Sequence, residues 1–368
     1  MSTEQNPKKG SSTPKSDSKK TSKKVARGRK AKRKKPEQRG SGGSEIDLEA
    51  VERANQRFDI KPLPMGLPDN LEPAPKKVQI KWKLTPVPTK VERSVHDIVC
   101  RPGEFGFLDD ERVDEIAELI KGKQISLEQA LSLRAALNQE KAVFSHGRLQ
   151  RRAREMQRKY KAGEGVLSLS KRYDFPPVNL FRAILSARNW SKNRIKEALK
   201  EPEKKLNKRD LEQFRKAEAE DRVTHVNQSE AHHAADLFET VLCDHFTANG
   251  VRYRTQNELL KEQVAAEGRP VRTPDLLMLD HVEINGVPVA WIDAKHFYGA
   301  NSSWQRRKTQ KQVNRYVEEW GHGAIIYRHG FCAGLKLKGA ILLDASPIDL
   351  SKLIKHNQRL KDERTTEG

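Results

Sequence analysis

Asp275, Asp293 and Lys295 are the residues of this chain whose types and spacing can do chemistry. They lie in one stretch, TPDLLMLDHVEINGVPVAWIDAKHF, from Thr273 to Phe297. Two carboxylates supply hard oxygen donors of the kind that hold Mg²⁺ or Mn²⁺. A lysine beside them can orient a metal-bound water or offset the charge that grows on a phosphate in a transition state. Asp293 and Lys295 are two apart, so on a strand they share a face. The plainer reading is a strand end closed by an Asp275–Lys295 ion pair, and on spacing alone it is the stronger of the two.

Whether Asp275 joins the other two depends on the hairpin around Asn285-Gly286. A two-residue turn pairs Ile284 with Val287. An unbroken ladder from there puts Asp275 opposite His296, on the wrong face for a site. A three-residue loop, Ile284-Asn285-Gly286, with Gly286 left-handed in a bulge, pairs Glu283 with Val287 instead. Asp275 then falls opposite Lys295, a diagonal step from Asp293, and the two carboxylates can converge on one cation. Glycine suits the third position of that loop, so the three-residue loop is the expectation.

The flanking sequence must hold this hairpin in place. Ahead of it, SEAHHAADLFETVLCDHFTANG has Leu237, Phe238, Val241, Leu242 and Phe246 at helical spacing and ends on Gly250. VRYRTQNEL alternates as a strand does. After the hairpin, SSWQRRKTQKQVNRYVEEWGHG reads as a helix with a basic face, and AIIYRHGF and GAILLDA as short strands. Helix, three strands, helix and two strands predict an α/β sandwich with a mixed sheet. Further upstream, DDERVDEIAELIKG is a helix that stops before Gly122, Ser126 is the N-cap of the next, and Arg148 to Lys161 form a strongly basic helix. Two short helices, Leu167–Arg172 and one opening at Pro177, flank a turn at Tyr173–Pro176. With basic flanks that include Arg182 and Arg188, this is a helix-turn-helix pattern that can contact nucleic-acid phosphates. An ordinary helical hairpin is the commoner object with the same pattern.

Composition bounds what the whole can be. The chain has 368 residues and a net charge of +21, which favours a polyanionic partner. Residues 1–45 hold 15 basic against 4 acidic residues, a balance of +11, with almost nothing to bury, so a disordered tail is expected there. Within it, KKVARGRKAKRKK, Lys23 to Lys35, reads as a nuclear import signal that also binds phosphate. Residues 46–93 are studded with proline and read as a linker or wrapped segment, with a short helix near Ile46 to Phe58. Three cysteines, far apart, give no disulfide framework or cysteine zinc site and fit a reducing compartment. His232 and His233 point apart on a helix, and His225, His281, His296 and His322 show no ligand spacing. No stretch approaches a membrane span and no secretory signal is expected. The resulting division is a tail and linker over 1–93, a helical region over 94–222, an α/β domain over 223–350 and a polar tail over 351–368.

Pro274-Asp275 followed by Asp293-Ala294-Lys295 resembles the PD-(D/E)xK nuclease motif. TPD, WIDAKHFYG, YDFPPVNLFRAIL and IIYRHGF resemble one branch more closely: the TPD-motif family, or codanin-interacting nucleases, which are similar to archaeal Holliday-junction resolvases. The resemblance spans residues 100 to 345. It implies a restriction-endonuclease-like mixed-sheet sandwich, preceded by an all-α helix-turn-helix region and a disordered basic tail. It also implies Asp275 and Asp293 as metal ligands, Lys295 as the catalytic lysine and the Ala294 carbonyl as a further ligand. Glu239 matches the acid of the preceding helix, with Glu230 a competitor, and Gln312 matches a polar position on the following helix. Asp293 stands where many relatives have glutamate, and the shorter acid still ligates.

The activity implied is hydrolysis of phosphodiester bonds with Mg²⁺ or Mn²⁺, leaving a 5′-phosphate, on a branched or structured DNA. A codanin-like partner, a homodimer and a nuclear location, with the cytoplasm as a second, follow from the same resemblance and the tail. Two other readings stay open: a non-catalytic nuclear DNA-binding scaffold with a nuclease fold, and an RNA-processing nuclease, since both nucleic acids offer phosphates.

Overall fold

The hairpin at the centre of the sequence is β3 (Leu276–Ile284) and β4 (Val287–Lys295). In the computed structural model, which describes residues 46–59, 74–224 and 229–366, Asn285 has φ 52° and Gly286 φ 78°. Two consecutive positive φ values make a two-residue turn whose twist matches the strands. The expected three-residue loop does not form. Asn285 is held in its left-handed conformation from outside, because its side chain accepts from Trp82 N at 2.8 Å and donates to Trp82 O at 2.9 Å.

The ladder then breaks further along. Ile284 pairs with Val287 and Val282 with Val289, but Leu277 pairs with Trp291 and Leu276 with Ile292. Between Leu277 and Val282, β3 takes three more residues than β4 does. An odd shift exchanges the two faces of a strand. Continued one step, this register sets Asp275 across from Asp293. A buried carboxylate secures the irregular stretch: Asp280 accepts from Lys76 N at 3.0 Å, from Arg252 N at 2.8 Å and from the Arg252 guanidinium at 2.7 Å.

The sheet is mixed, as expected. β1 (Lys77–Ile80) runs parallel to the second half of β3, and β2 (Tyr253–Thr255) runs antiparallel to its first half. On the other side β5 (Gly323–Tyr327) lies parallel to β4, and β6 (Ala340–Asp344) parallel to β5. β1 comes from the proline-rich segment read as a linker; four residues are too few to show alternation. The helices on either side of it, α1 (Leu48–Arg57) and α2 (Thr89–Val99), bury Ala50, Ala54, Val95 and Val99 in the sheet core. Gly321 lets α1 come this close: a Cβ there would stand 2.4 Å from Ala54 N, and its φ is +83°.

A second core is helical. α3 (Asp110–Ile120) leads to α4 (Leu127–Lys161), which opens with a capping box between Ser126 and Gln129. The two helices read from the sequence are one helix of 35 residues, which runs on through Gly147. Its first turns put Ala130 and Leu133 in the sheet core, and Ala142 to Tyr160 in the helical core. α5 (Val166–Tyr173), α6 (Pro177–Ala187), α7 (Lys192–Lys200), α8 (Pro202–Lys205) and α9 (Lys208–Ala219) complete that core. The helix, turn and helix of α5 and α6 are present, with Pro177 opening α6. Seven of the eleven α6 residues are buried, however, leaving Arg182 and Ser186 as its exposed side chains. Arg188 is spent on Asp210, at 2.6 and 3.0 Å. α6 therefore holds the cluster together, while most exposed basic groups of this region lie on α4, α5, α7, α8 and α9.

The remaining helices are α10 (Ser229–Ala248), α11 (Gln256–Glu267), α12 (Ser303–Trp320) and α13 (Ser351–Thr366). α13 replaces the expected polar tail; it buries Leu353 and pairs Lys352 with Asp244 of α10 at 2.6 Å. Among the described residues, no helix is long and apolar enough to cross a membrane. The basic run Lys23–Lys35, His225 and the side chain of Glu230 lie outside the described residues.

Candidate active site

Asp275 stands just before β3, and Asp293 and Lys295 close β4. Asp275 and Asp293 are 8% and 2% exposed, so both carboxylates are nearly dry. The Lys295 ammonium is ion-paired with Asp293 Oδ2, an oxygen with no hydrogen bond of its own. The pair is thus Asp293–Lys295, two apart on one face, and not the Asp275–Lys295 pair of the plainer reading. Lys295 Nζ also donates to Gln312 Oε1 at 3.1 Å, and Gln312 Nε2 donates to Asp293 Oδ1 at 2.7 Å. Gln312, reaching in from α12, closes a ring over the acid and the lysine.

Asp275 is held separately. Its Oδ2 accepts from Ala294 N at 2.6 Å and its Oδ1 from Gln256 Nε2 at 3.3 Å. Tyr316 donates to the Thr273 carbonyl at 3.1 Å and receives Gln312 Nε2 at 3.2 Å. Gln256 and Tyr316 were not read from the sequence. Signals for both existed. Thr255-x-x-Glu258 is a capping box that opens α11 with Gln256 as its first residue, and Tyr316 follows Gln312 by four, on the same helix face.

The charges are unevenly matched. Burial raises the Asp275 carboxyl well above its ordinary range; the charges of Asp293 and Glu239 push the same way, and Ala294 N–H and Lys295 only partly oppose them. Burial likewise raises Glu239 on α10, with Asp236 and Asp293 adding to it. Burial works to lower Lys295, but Asp293, Asp275 and Glu239 outweigh it, so the ammonium is held above its usual value. Glu239 feels the cluster's charge but makes no hydrogen bond or ion pair with it within 4 Å. Of the six expected site residues, Asp293, Lys295 and Gln312 touch one another, Asp275 joins through the Ala294 amide, and Glu239 stands at the margin.

This donor set fits a divalent cation. Two nearly dry carboxylates, with Glu239 at the margin, face one ammonium, a deficit of positive charge that a metal relieves. Among the described residues, no three His, Cys, Asp or Glu side chains are close enough to enclose an ion. The donors at hand are the Asp275–Asp293 pair, with Glu239 further out, which suits an ion that keeps several waters, as Mg²⁺ does.

An α/β protein with a mixed sheet and a carboxylate–lysine cluster at a hairpin end is the class that fold and site define. Residues 204–346 match the family described as "Protein of unknown function TPD sequence-motif". This part of the chain is similar to the TPD-motif family. The chain is similar to the uncharacterized protein L539 of Acanthamoeba polyphaga mimivirus, 28% identical over 115 residues, 30% of this chain and 40% of that one. It is also similar to CDAN1-interacting nuclease 1 of Danio rerio, 30% identical over 112 residues, 30% of this chain and 37% of the relative. The same protein of Gallus gallus is 32% identical over 96 residues, 25% and 35% of the two chains. The matches therefore span two fifths or less of these relatives' own lengths. No solved structure matches the chain.

Proposed function

We propose that the chain is a metal-dependent nuclease that hydrolyses phosphodiester bonds, built on the PD-(D/E)xK plan. The observation that carries this is the dry carboxylate pair with an ammonium locked against it by Gln312. Asp275 and Asp293 would hold Mg²⁺ or Mn²⁺, with the Ala294 carbonyl and Glu239 as further donors. Such an ion, when bound, supplies an acidified water and charge for the phosphate oxygens. Lys295, kept protonated by the acids around it, is placed to neutralise an oxygen of the scissile phosphate, and Gln312 fixes its position. The net charge of +21 supports a polyanionic substrate. Similarity to relatives named as nucleases supports the class, and their naming for CDAN1 supports a codanin-like partner. Structured or branched DNA, a nuclear location and a homodimer that cuts both strands complete the reading.

The test compares the full chain with Lys295→Ala on linear, flapped, four-way and RNA substrates, with Mg²⁺ or Mn²⁺. Binding and cutting are measured separately. Cleavage should fall by at least about 100-fold while binding holds. No cutting with either ion, or equal cutting by both proteins, would overturn the proposal in favour of a non-catalytic scaffold.

A further inference from the structure

Arg328 follows β5 directly, and its amide donates to the Lys295 carbonyl at 2.8 Å. Lys295 is in register with Tyr327 and shares its face, so Arg328, one residue on, turns to the other face of the sheet, the side of His296. Its side chain is 8% exposed. Arginines buried to this extent are normally forked onto carboxylates or carbonyls. This one makes no hydrogen bond: Nε has no partner, and the nearest carboxylate oxygen, Glu128 Oε2, is 3.8 Å away. His329 repeats the pattern, with Nδ1 buried, unbonded and 3.7 Å from the same Glu128 oxygen.

Both side chains line a cavity of about 240 Å³, closed on another side by Ser126, Glu128 and Gln129 in the first turn of α4. The capping box uses the amides of Ser126 and Gln129. The amide of Glu128 has no helical acceptor, and the positive end of a 35-residue helix faces the cavity. Gly330 completes the wall, since a Cβ there would meet Gln129 Nε2 at 2.8 Å. Asp344 also lines the space, but its carboxylate is turned to Thr85 and Ser346. Among the described residues the acid facing the basic pair is Glu128, whose side chain is 65% exposed and within 4 Å of both Arg328 and His329.

We propose that Arg328, His329 and the first turn of α4 form a phosphate subsite at the same end of the sheet as the carboxylate cluster but on its other face, occupied in the free protein by the carboxylate of Glu128. It rests on the nuclease reading for its ligand, a phosphate of the polynucleotide away from the scissile one. An unbonded guanidinium, an imidazole and a helix N-terminus are the donors that phosphate oxygens take. Glu128 keeps the pocket neutral until a stronger anion arrives. A terminal phosphate monoester and an internal phosphodiester share this chemistry.

The experiment measures binding without divalent ions, so it stands whether or not the protein cuts. The full chain is titrated with inorganic phosphate, with a 5′-phosphorylated oligonucleotide and with the same oligonucleotide bearing a 5′-hydroxyl. Arg328→Gln should weaken binding about tenfold and lower the salt slope by about one, as loss of one charge-assisted contact does. Glu128→Gln should tighten it several-fold, whereas Glu49→Gln, an equal change of charge on the exposed face of α1, should not. If the 5′-hydroxyl strand shows these effects, the pocket takes an internal phosphodiester. If only the phosphorylated strand and inorganic phosphate show them, it takes a terminal monoester. Unchanged affinity for all three ligands in both Arg328→Gln and Glu128→Gln, with melting temperatures intact, would overturn the proposal. So would an equal gain from Glu49→Gln and Glu128→Gln.

Discussion

Among the described residues Gln312 is the neutral residue that bonds both charges of the Asp293–Lys295 pair. Without it the ammonium still has its acid but not its direction. Gln312→Ala should therefore lower kcat about 10- to 100-fold with KM and polynucleotide affinity little changed, the behaviour of a residue that positions another. A fall in affinity of the same size would mean that Gln312 meets substrate directly. His322, wholly buried beside β5, makes a different prediction. Burial lowers its pKa to about 4, which the nearby Pro288 carbonyl and Asp47 only partly offset. The unfolded imidazole takes up a proton below about 6.5 and the folded one only below about 4. Its contribution is thus whole above pH 6.5 and lost as pH falls to 4, on the order of 3 kcal/mol. Urea unfolding of His322→Leu between pH 7 and 4 should show a flatter acid limb than wild type; an unchanged limb would assign the loss to other groups. At this scale the sequence was informative. Asp293 and Lys295 are legible because strand alternation puts them together whatever else happens, whereas Gln312 could be named only by resemblance, since nothing local says which α12 residue faces β4.

The hairpin shows why elements are harder to read than residues. Asn285-Gly286 announced its turn, and helical periodicity gave α3, α10 and α12. The shift inside β3 left no local mark. It depends on Asp280 meeting Arg252, 28 residues away, and Lys76, 204 residues away, and single-sequence patterns carry no information over such separations. β1 escaped for a related reason, being a strand only because β3 is there to pair with. The expected outcome Asp275-beside-Asp293 was reached, but by three extra residues in β3 and not by a bulge in the turn. Removing Leu279 should reduce the shift to an even number and turn Asp275 to the far side of the sheet. The variant should keep the circular dichroism of a folded chain and lose all cleavage. Activity at wild-type level would show that the register does not position the site.

Two cores share this molecule, and residues from α1, α2 and α3 join the sheet core even though they precede the helical one in the chain. Composition could not reveal this, because a proline-rich segment that wraps a sheet looks like one that links two domains. The cores should also unfold together. Phe181→Ala empties the centre of the helical core, at a cost of roughly 3–5 kcal/mol. Hydrogen exchange at Ile325 and Leu342, deep in the sheet, should speed up in that variant; protection confined to wild-type values would mean that the cores melt independently. What couples them is α4, which runs without a break from one to the other. Their separation is consequently counted in helical residues. An insertion or deletion between Leu133 and Ala142 would act like a turn of a screw, moving one core about 1.5 Å along the axis and rotating it about 100° for each residue. Length and orientation cannot be adjusted separately, and only changes close to whole turns of the helix would leave the two surfaces facing as they do now.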